Sequence, residues 1–141
     1  MVVEGGLVQE VIAAHGLASD VAVHELGEVI LSPGFVDVQV NGGGGRMVDR
    51  TADVQALRGI CDTHARLGAT GILPTLITDT AEATRATIEA GVAAAGSVPG
   101  FLGLHLEGPH LDLRRKGAHD PRLIRPMTPD DLDMLRDAAA R

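Results

Sequence analysis

Three apolar runs of strand length begin at residues 35, 70 and 101, and helical patterns follow each of them. Strands that alternate with helices in this way are typical of βαβ units, in which the strands form a parallel sheet. Such a sheet is either open and doubly wound or closed as a (β/α)₈ barrel. A barrel needs eight βα units and about 250 residues, so this chain of 141 residues can supply only part of one.

The helices are predicted from their periodicity and their end signals. The first covers about residues 52–67 and ends at Gly68; the second is capped by Asp79 or Thr80, with Gly96 past its end. The third opens with the cap sequence 128–131, Thr-Pro-Asp-Asp. The predicted inner faces are Val54, Leu57, Ile60, Cys61, His64 and Leu67 on the first helix, Ala81, Thr84, Ile88 and Val92 on the second, and Leu132, Leu135 and Ala139 on the third.

A separate β layer is predicted before the boundary at residues 32–34, Ser-Pro-Gly. Gly5-Gly6 lies between two short apolar runs, which indicates a hairpin. Val21–Val23 and Val29–Leu31 have the composition of two further strands. The N-terminal region 1–31 is therefore expected to be all β.

Charge and cysteine content exclude several classes of protein. The formal net charge is −7 and the only basic run is 114–116, Arg-Arg-Lys, which argues against nucleic-acid binding. No apolar run approaches the length of a membrane-spanning helix, and no secretory signal is visible. Cys61 has no partner for an internal disulfide and is expected to be a packed thiol. These features predict a cytoplasmic protein.

Glu107 is the strongest candidate for chemistry, because it ends an apolar run and is followed at once by Gly108-Pro109. A carboxylate at the end of a strand is unfavourable unless a cation or a hydrogen-bond donor meets it. One interpretation is a metal ligand or an acid/base at the mouth of the strand. The alternative is a structural carboxylate that caps the next loop or pairs with the basic run 114–116.

The other polar positions are weaker candidates. Side chains two apart on a strand share a face, which groups Asp37 with Gln39 and Asn41, and His105 with Glu107. The Gly42–Gly45 run is equally consistent with an anion-binding loop and with a flexible turn over a ligand. Structural or exposed roles are the simpler expectation for the histidines: a bonded core residue for His105, solvated loop residues for His110 and His119, and structural or exposed residues for His15, His24 and His64.

Three segments together resemble the N-acetylglucosamine-6-phosphate deacetylases of the amidohydrolase superfamily. They are LSPGFVDVQVNGGGG at 31–45, GATGILPTLITD at 68–79 and GLHLEGPHLDLRRKGAHDPRLIRP at 103–126. The first motif is common among amidohydrolases, whereas the order LPTLITD, HLEGP, KGAHDP is specific. The resemblance covers essentially the whole chain but only about the N-terminal third of such an enzyme.

The resemblance implies a fold and an activity. It implies that residues 1–31 belong to a small β-sandwich domain and that residues 32–141 form the first three βα units of the barrel. It also implies a homodimer that hydrolyses the N-acetyl group of N-acetylglucosamine 6-phosphate, giving glucosamine 6-phosphate and acetate. Glu107 matches the family's metal ligand, and Ala118 and His119 match its substrate-binding pair. Two metal-binding histidines and the catalytic aspartate are expected beyond Arg141.

One departure concerns the number of metal ions. Many amidohydrolases carry His-x-His at the end of the first barrel strand, where this chain has Gln39 and Asn41. Neutral amides are poor ligands for Zn²⁺. The expectation is therefore one divalent ion per subunit, with zinc favoured and iron, cobalt or manganese as alternatives.

Two other interpretations stay open at this stage. The chain can belong to another amidohydrolase, such as a dihydroorotase-like enzyme or an N-acyl-amino-acid deacylase, or it can be a non-catalytic truncated remnant. Catalytic zinc usually has three protein ligands, and residues 1–141 offer one. The 141-residue piece alone is therefore predicted to be inactive.

Overall fold

The computed structural model describes residues 1–141, except for the side chain of Ala14. The chain divides into two compact units, Met1–Ser32 and Pro33–Arg141. No helix in the described residues is long and apolar enough to cross a membrane.

The first unit begins with the hairpin that the glycine pair predicts. Strands β1 (Val2–Glu4) and β2 (Leu7–Glu10) pair antiparallel. Gly5 and Gly6 both have positive φ, at 58° and 79°, as a tight two-residue hairpin turn requires. A 3₁₀ turn follows at Ala14–Gly16.

The prediction of two further strands in this unit is wrong. Val21–Val23 and Val29–Leu31 have no regular secondary structure. Among the described residues, the backbone bonds of these segments are turn-like, from Val21 N–H to the Ala18 carbonyl and from Val29 N–H to the Gly27 carbonyl. A β-branched sequence favours an extended backbone, but a strand also needs a neighbour to complete its ladder.

The second unit is built on a parallel sheet of three strands. These are β3 (Phe35–Val40), β6 (Ala69–Ile77) and β7 (His105–Glu107), with β6 in the centre. Between β3 and the first helix, β4 (Gly42–Gly43) and β5 (Arg46–Met47) form a small antiparallel hairpin. The predicted parallel order is confirmed, and the glycine run of residues 42–45 proves to be part of this hairpin.

The third strand is shorter than expected. Phe101 makes only an isolated bridge to Ile72, and the regular strand begins at His105. Gly103, at φ 139°, lies in a region that residues with a side chain rarely adopt. The backbone therefore leaves the strand conformation between Phe101 and His105.

The three helices are α1 (Val54–Arg66), α2 (Ala81–Ala94) and α3 (Pro129–Ala139). Thr80, rather than Asp79, caps α2, because its side chain accepts a hydrogen bond from Ala83 N–H. Thr128 and Asp131 form the capping box of α3, as the sequence predicts.

The inner faces of the helices differ from the sequence-based expectation at several positions. Leu67 caps the end of α1 and is 75% exposed. On α3 the buried position is Asp131, with half-buried side chains at Met134, Leu135 and Ala138, so that Leu132 and Ala139 are exposed instead. On α2, Thr84 and Ile88 are buried as expected, Val92 is half-buried and Ala81 is exposed. The other buried positions of α2 are Ala83, Thr87, Gly91 and Ala94.

The core lies between α1 and the central strand. Leu57 and Ile60 of α1 are fully buried with Ile72 and Leu76 of β6. We expect Leu57→Ala to lower the free energy of unfolding by about 2–5 kcal/mol, because it leaves a cavity in a packed core. Urea denaturation of the intact protein measures this loss.

The matched control is Leu67→Ala. It removes the same atoms from an exposed side chain, where surface changes usually stay within about 0.5 kcal/mol. Equal losses in the two variants would show that the core is not where the structure places it.

Candidate metal and substrate site

Glu107 lies at the carboxyl end of β7, opposite Ile77 of β6. Its side chain is 31% exposed, and its Oε1 is 3.6 Å from Nε2 of His119. Among the described residues, no ion pair joins it to the basic run 114–116; Arg114 pairs with Asp112 instead. The alternative in which Glu107 pairs with that run is therefore not supported.

The turn after Glu107 lies against Thr78, the residue that follows β6. Gly108 has φ 138°, and a Cβ at this position would lie 2.0 Å from Oγ1 of Thr78. Pro109 is buried. A residue without a side chain is therefore required where the backbone passes over the end of β6.

His119 returns to this place from the loop between β7 and α3. Its Nδ1 is 2.8 Å from Oγ1 and 3.4 Å from the backbone N of Thr78. The side chain is only 12% exposed, so the expectation of a solvated loop histidine is wrong. Ala118, its neighbour, is exposed.

His105 has the structural role that the sequence favours. Its Nδ1 is 3.3 Å from Oγ1 of Thr75, which is fully buried. The same hydroxyl accepts a bond from Val40 N–H at 2.9 Å and donates to the Leu73 carbonyl at 3.1 Å. Thr75 thus connects β3, β6 and β7 below the candidate site.

The first-strand group lies on the opposite side of β6 from β7. The Asp37 carboxylate accepts a bond from the backbone N–H of Gln39, and Gln39 is exposed whereas Asn41 is half-buried. His64, for which the sequence suggests no partner, has its Nε2 3.0 Å from the Gly42 carbonyl. It holds the glycine hairpin against α1.

The far end of the loop is fixed to α3. Arg125 donates two hydrogen bonds to the Asp131 carboxylate, at 2.5 and 2.6 Å. Thr128 adds bonds from its backbone N–H and its hydroxyl. His110 joins them, with Nδ1 3.0 Å from the Arg125 carbonyl and Nε2 3.9 Å from Asp131. This set, which we term the loop clamp (His110, Arg125, Thr128 and Asp131), closes the segment that carries His119.

Asp131 makes the loop clamp sensitive to acid. Hydrogen bonds from Arg125 first, and then from Thr128, hold the pKa of Asp131 below its ordinary value of 3.8. A carboxyl whose pKa is lowered by folding stabilises the protein above its unfolded pKa and loses that contribution as the pH falls through the folded value. The contribution is therefore complete above about pH 5 and is lost progressively below it.

We expect Asp131→Asn to destabilise the protein more at pH 7 than at pH 3. Urea denaturation at the two pH values measures the difference in unfolding free energy between wild type and variant. Asp133→Asn is the control. Asp133 lies on the same helix, but it is exposed and its nearest cationic partner, Arg136, is 4.0 Å away, so it forms at most a weak ion pair. If the difference in unfolding free energy between wild type and Asp131→Asn were the same at both pH values, the acid sensitivity assigned to Asp131 would be contradicted.

A metal ion needs more ligands than this cluster shows. Among the described residues, no group of three His, Cys, Asp or Glu side chains is placed to hold a metal ion. Glu107 is a suitable oxygen donor, because it is partly accessible, lies at the end of a strand and, among the described residues, has no ion pair with an Arg or Lys side chain of its loop. The basic side chain beside it is His119, 3.6 Å away. The arrangement fits one protein ligand of a larger site.

The fold and this cluster define a parallel α/β protein with a polar site at the carboxyl ends of its strands. No protein-family model matches the chain. It is 42% identical over 99 residues to an N-acetylgalactosamine-6-phosphate deacetylase of Shewanella sp., covering 70% of this chain and 25% of that protein. It is 32% identical over 136 residues to an N-acetylglucosamine-6-phosphate deacetylase of Haemophilus influenzae, covering 96% and 36%.

The chain also matches solved structures of N-acetylglucosamine-6-phosphate deacetylases. The N-acetylglucosamine-6-phosphate deacetylase of Pasteurella multocida matches with a TM-score of 0.72 and 34% identity, over 76% of this chain and 28% of that one. A variant of the N-acetyl-D-glucosamine-6-phosphate deacetylase of Mycobacterium smegmatis, in complex with N-acetyl-D-glucosamine-6-phosphate, matches with a TM-score of 0.66 and 32% identity. This match covers 77% of this chain and 28% of that one. The chain belongs to the family of amino-sugar-phosphate deacetylases, and it spans between 25% and 36% of the length of these two curated relatives.

Proposed function

We propose that the intact protein hydrolyses the N-acetyl group of N-acetylglucosamine 6-phosphate, giving glucosamine 6-phosphate and acetate. The observation that supports this most directly is the convergence of Thr78, Glu107 and His119, which come from the LPTLITD, HLEGP and KGAHDP segments. The Haemophilus influenzae relative whose name contains this activity matches over 96% of this chain.

The proposed architecture is a (β/α)₈ barrel whose first three βα units lie in residues 32–141. Residues 1–31 would belong to a small β-sandwich domain. The parallel order of β3, β6 and β7, each followed by a helix further along the chain, supports the barrel. We further propose a homodimer that acts in the cytoplasm.

In this proposal Glu107 is a ligand of one divalent metal ion, with zinc favoured. Such an ion lowers the pKa of a bound water and polarises a carbonyl group. Ala118 and His119 would contact the sugar phosphate. The Nε2 of His119 faces the same space as the Glu107 carboxylate, so the histidine can donate a hydrogen bond to a substrate oxygen beside the metal ligand. The general base is expected to come from outside residues 1–141.

The number of metal ions gives a direct prediction. Because Gln39 and Asn41 replace the His-x-His ligands, we expect one equivalent of divalent metal per subunit of the intact protein after removal of loosely bound ions. Elemental analysis against protein concentration measures the ratio. Two equivalents per subunit would refute the single-ion site.

A separate question is which N-acetylated sugar phosphate the protein prefers. The relative that is 42% identical is named for the galactosamine epimer, so N-acetylgalactosamine 6-phosphate is the second candidate substrate. The two sugars differ only in the configuration at C4, far from the amide that is cleaved. Selectivity between the two sugars therefore depends on a residue that contacts the C4 hydroxyl group.

The test is acetate release by the intact protein from the two sugar phosphates. Unphosphorylated N-acetylglucosamine, dihydroorotate and an N-acetyl amino acid serve as comparison substrates, and residues 1–141 alone serve as the inactive control. A higher kcat/KM for N-acetylglucosamine 6-phosphate supports the proposal, whereas preference for the other epimer transfers it to the second candidate. Turnover of dihydroorotate or the amino acid alone would overturn both.

A further inference from the structure

Thr78 lies within LPTLITD and touches both residues of the candidate site, although the resemblance assigns it no role. It directly follows β6 and is 6% exposed. Its hydroxyl is 2.8 Å from Nδ1 of His119 and 3.4 Å from the Glu107 carbonyl, and its backbone N is 3.4 Å from the same Nδ1. Two polar groups of one residue therefore meet one ring nitrogen of His119.

The donors and acceptors around His119 favour one ring nitrogen as the carrier of the hydrogen. A backbone N–H can only donate, so Nδ1 of His119 must accept if it is to bond with Thr78 N–H. The hydroxyl has a single hydrogen, and its shorter contact is to Nδ1 rather than to the Glu107 carbonyl. In the opposite tautomer the Nδ1 hydrogen would face the hydrogen of Thr78 N–H. Neutral His119 is therefore expected to carry its hydrogen on Nε2.

We propose that Thr78 is a positioning residue that holds His119 in the Nε2–H tautomer. Its hydroxyl and backbone N–H bind Nδ1, which directs the Nε2–H donor toward the space beside Glu107, 3.6 Å from Oε1. Gly108 makes this possible, since a Cβ there would lie only 2.0 Å from the Thr78 hydroxyl oxygen.

The consequence for catalysis rests on the proposed function. A donor at Nε2 can hydrogen-bond a substrate oxygen, whereas an unprotonated Nε2 would place a lone pair against it. Thr78→Val keeps the shape of the side chain but removes the hydroxyl, and it leaves only the long 3.4 Å bond from the backbone. Thr78→Ser restores the hydroxyl and is the conservative rescue.

The tautomer is measured without substrate or metal. Nitrogen-15 chemical shifts of the His119 ring, assigned by comparison with His119→Gln, separate a protonated from an unprotonated Nδ1. We expect unprotonated Nδ1 in the intact wild type and in Thr78→Ser, and a mixture of tautomers in Thr78→Val. A wild type with hydrogen on Nδ1 would overturn the proposal, even if the valine variant does not fold.

Kinetics supply the second measurement, with Thr84→Val as the matched control. Thr84 is equally buried, and its hydroxyl donates to the carbonyl of Thr80, the residue that caps α2. We expect kcat/KM to fall about 10–100-fold in Thr78→Val, as for other residues that orient a site group, and to stay near wild type in Thr78→Ser and Thr84→Val. An unchanged tautomer in Thr78→Val, or an equal loss in Thr84→Val, refutes a positioning role. An intact protein inactive on every substrate would reject the proposed function while the nitrogen shifts still decide the tautomer.

Discussion

Glu107→Gln is expected to abolish stable metal binding and, with it, the proposed deacetylase activity of the intact protein. The substitution keeps the length of the side chain but replaces a charged oxygen ligand with a neutral amide, which is a poor ligand for divalent zinc. Loss of residues that merely orient a ligand costs 10–100-fold in affinity. Loss of the ligand itself should cost at least about 100-fold. Metal content after dialysis, together with acetate release, measures both effects.

Glu82→Gln is the control for this prediction. Glu82 is an exposed glutamate in the first turn of α2, so the same chemical change there should leave metal content and turnover unchanged. If Glu107→Gln kept a full equivalent of metal and normal turnover, Glu107 would be a structural carboxylate and the proposed site would have to lie elsewhere. Loss of metal with a normal unfolding curve would separate a ligand role from misfolding.

The features that could be predicted from sequence are those that local patterns encode. Helical periodicity and caps give α1 and α2 to within a few residues, because the buried face and the capping side chain lie in the same segment. The place of Glu107 at a strand end follows from Gly108-Pro109 for the same reason. Its role as a metal ligand comes from the resemblance and stays a proposal.

Interactions between distant segments were the part that could not be predicted. Thr78 and His119 are 41 residues apart, and no periodicity relates a threonine after one strand to a histidine in a later loop. The buried face of α3 differs from the predicted one because it includes a carboxylate, a group that is almost never fully buried unless it is paired. Asp131 is buried because Arg125 and Thr128 satisfy it, which only the folded loop reveals. The strand prediction at Val21–Val23 is wrong for a related reason, because strand propensity does not supply a partner strand.

Gly108→Ala is expected to cause the largest structural effect of any single methyl group added at the candidate site. The φ of 138° is nearly inaccessible to alanine, which costs about 1–3 kcal/mol. The new Cβ would also lie 2.0 Å from the Thr78 hydroxyl and 3.3 Å from Thr78 Cα, so the backbone itself must move. We expect a lower unfolding free energy, a displaced His119 ring and strongly reduced turnover, measured by urea denaturation, nitrogen-15 shifts of the ring and acetate release.

Gly96→Ala separates the two causes. Gly96 follows α2 with φ 68°, and nothing lies within 4 Å of a Cβ built there. Alanine at that position should therefore cost only the backbone term of about 1–2 kcal/mol and leave the His119 ring unchanged. If Gly108→Ala were no worse than Gly96→Ala, the contact between the turn and Thr78 would not constrain the site. A larger loss accompanied by a moved His119 would show that the turn after Glu107 and the orientation of the histidine form one mechanical unit, in which the glycine of the HLEGP motif leaves room for the hydroxyl that holds the ring.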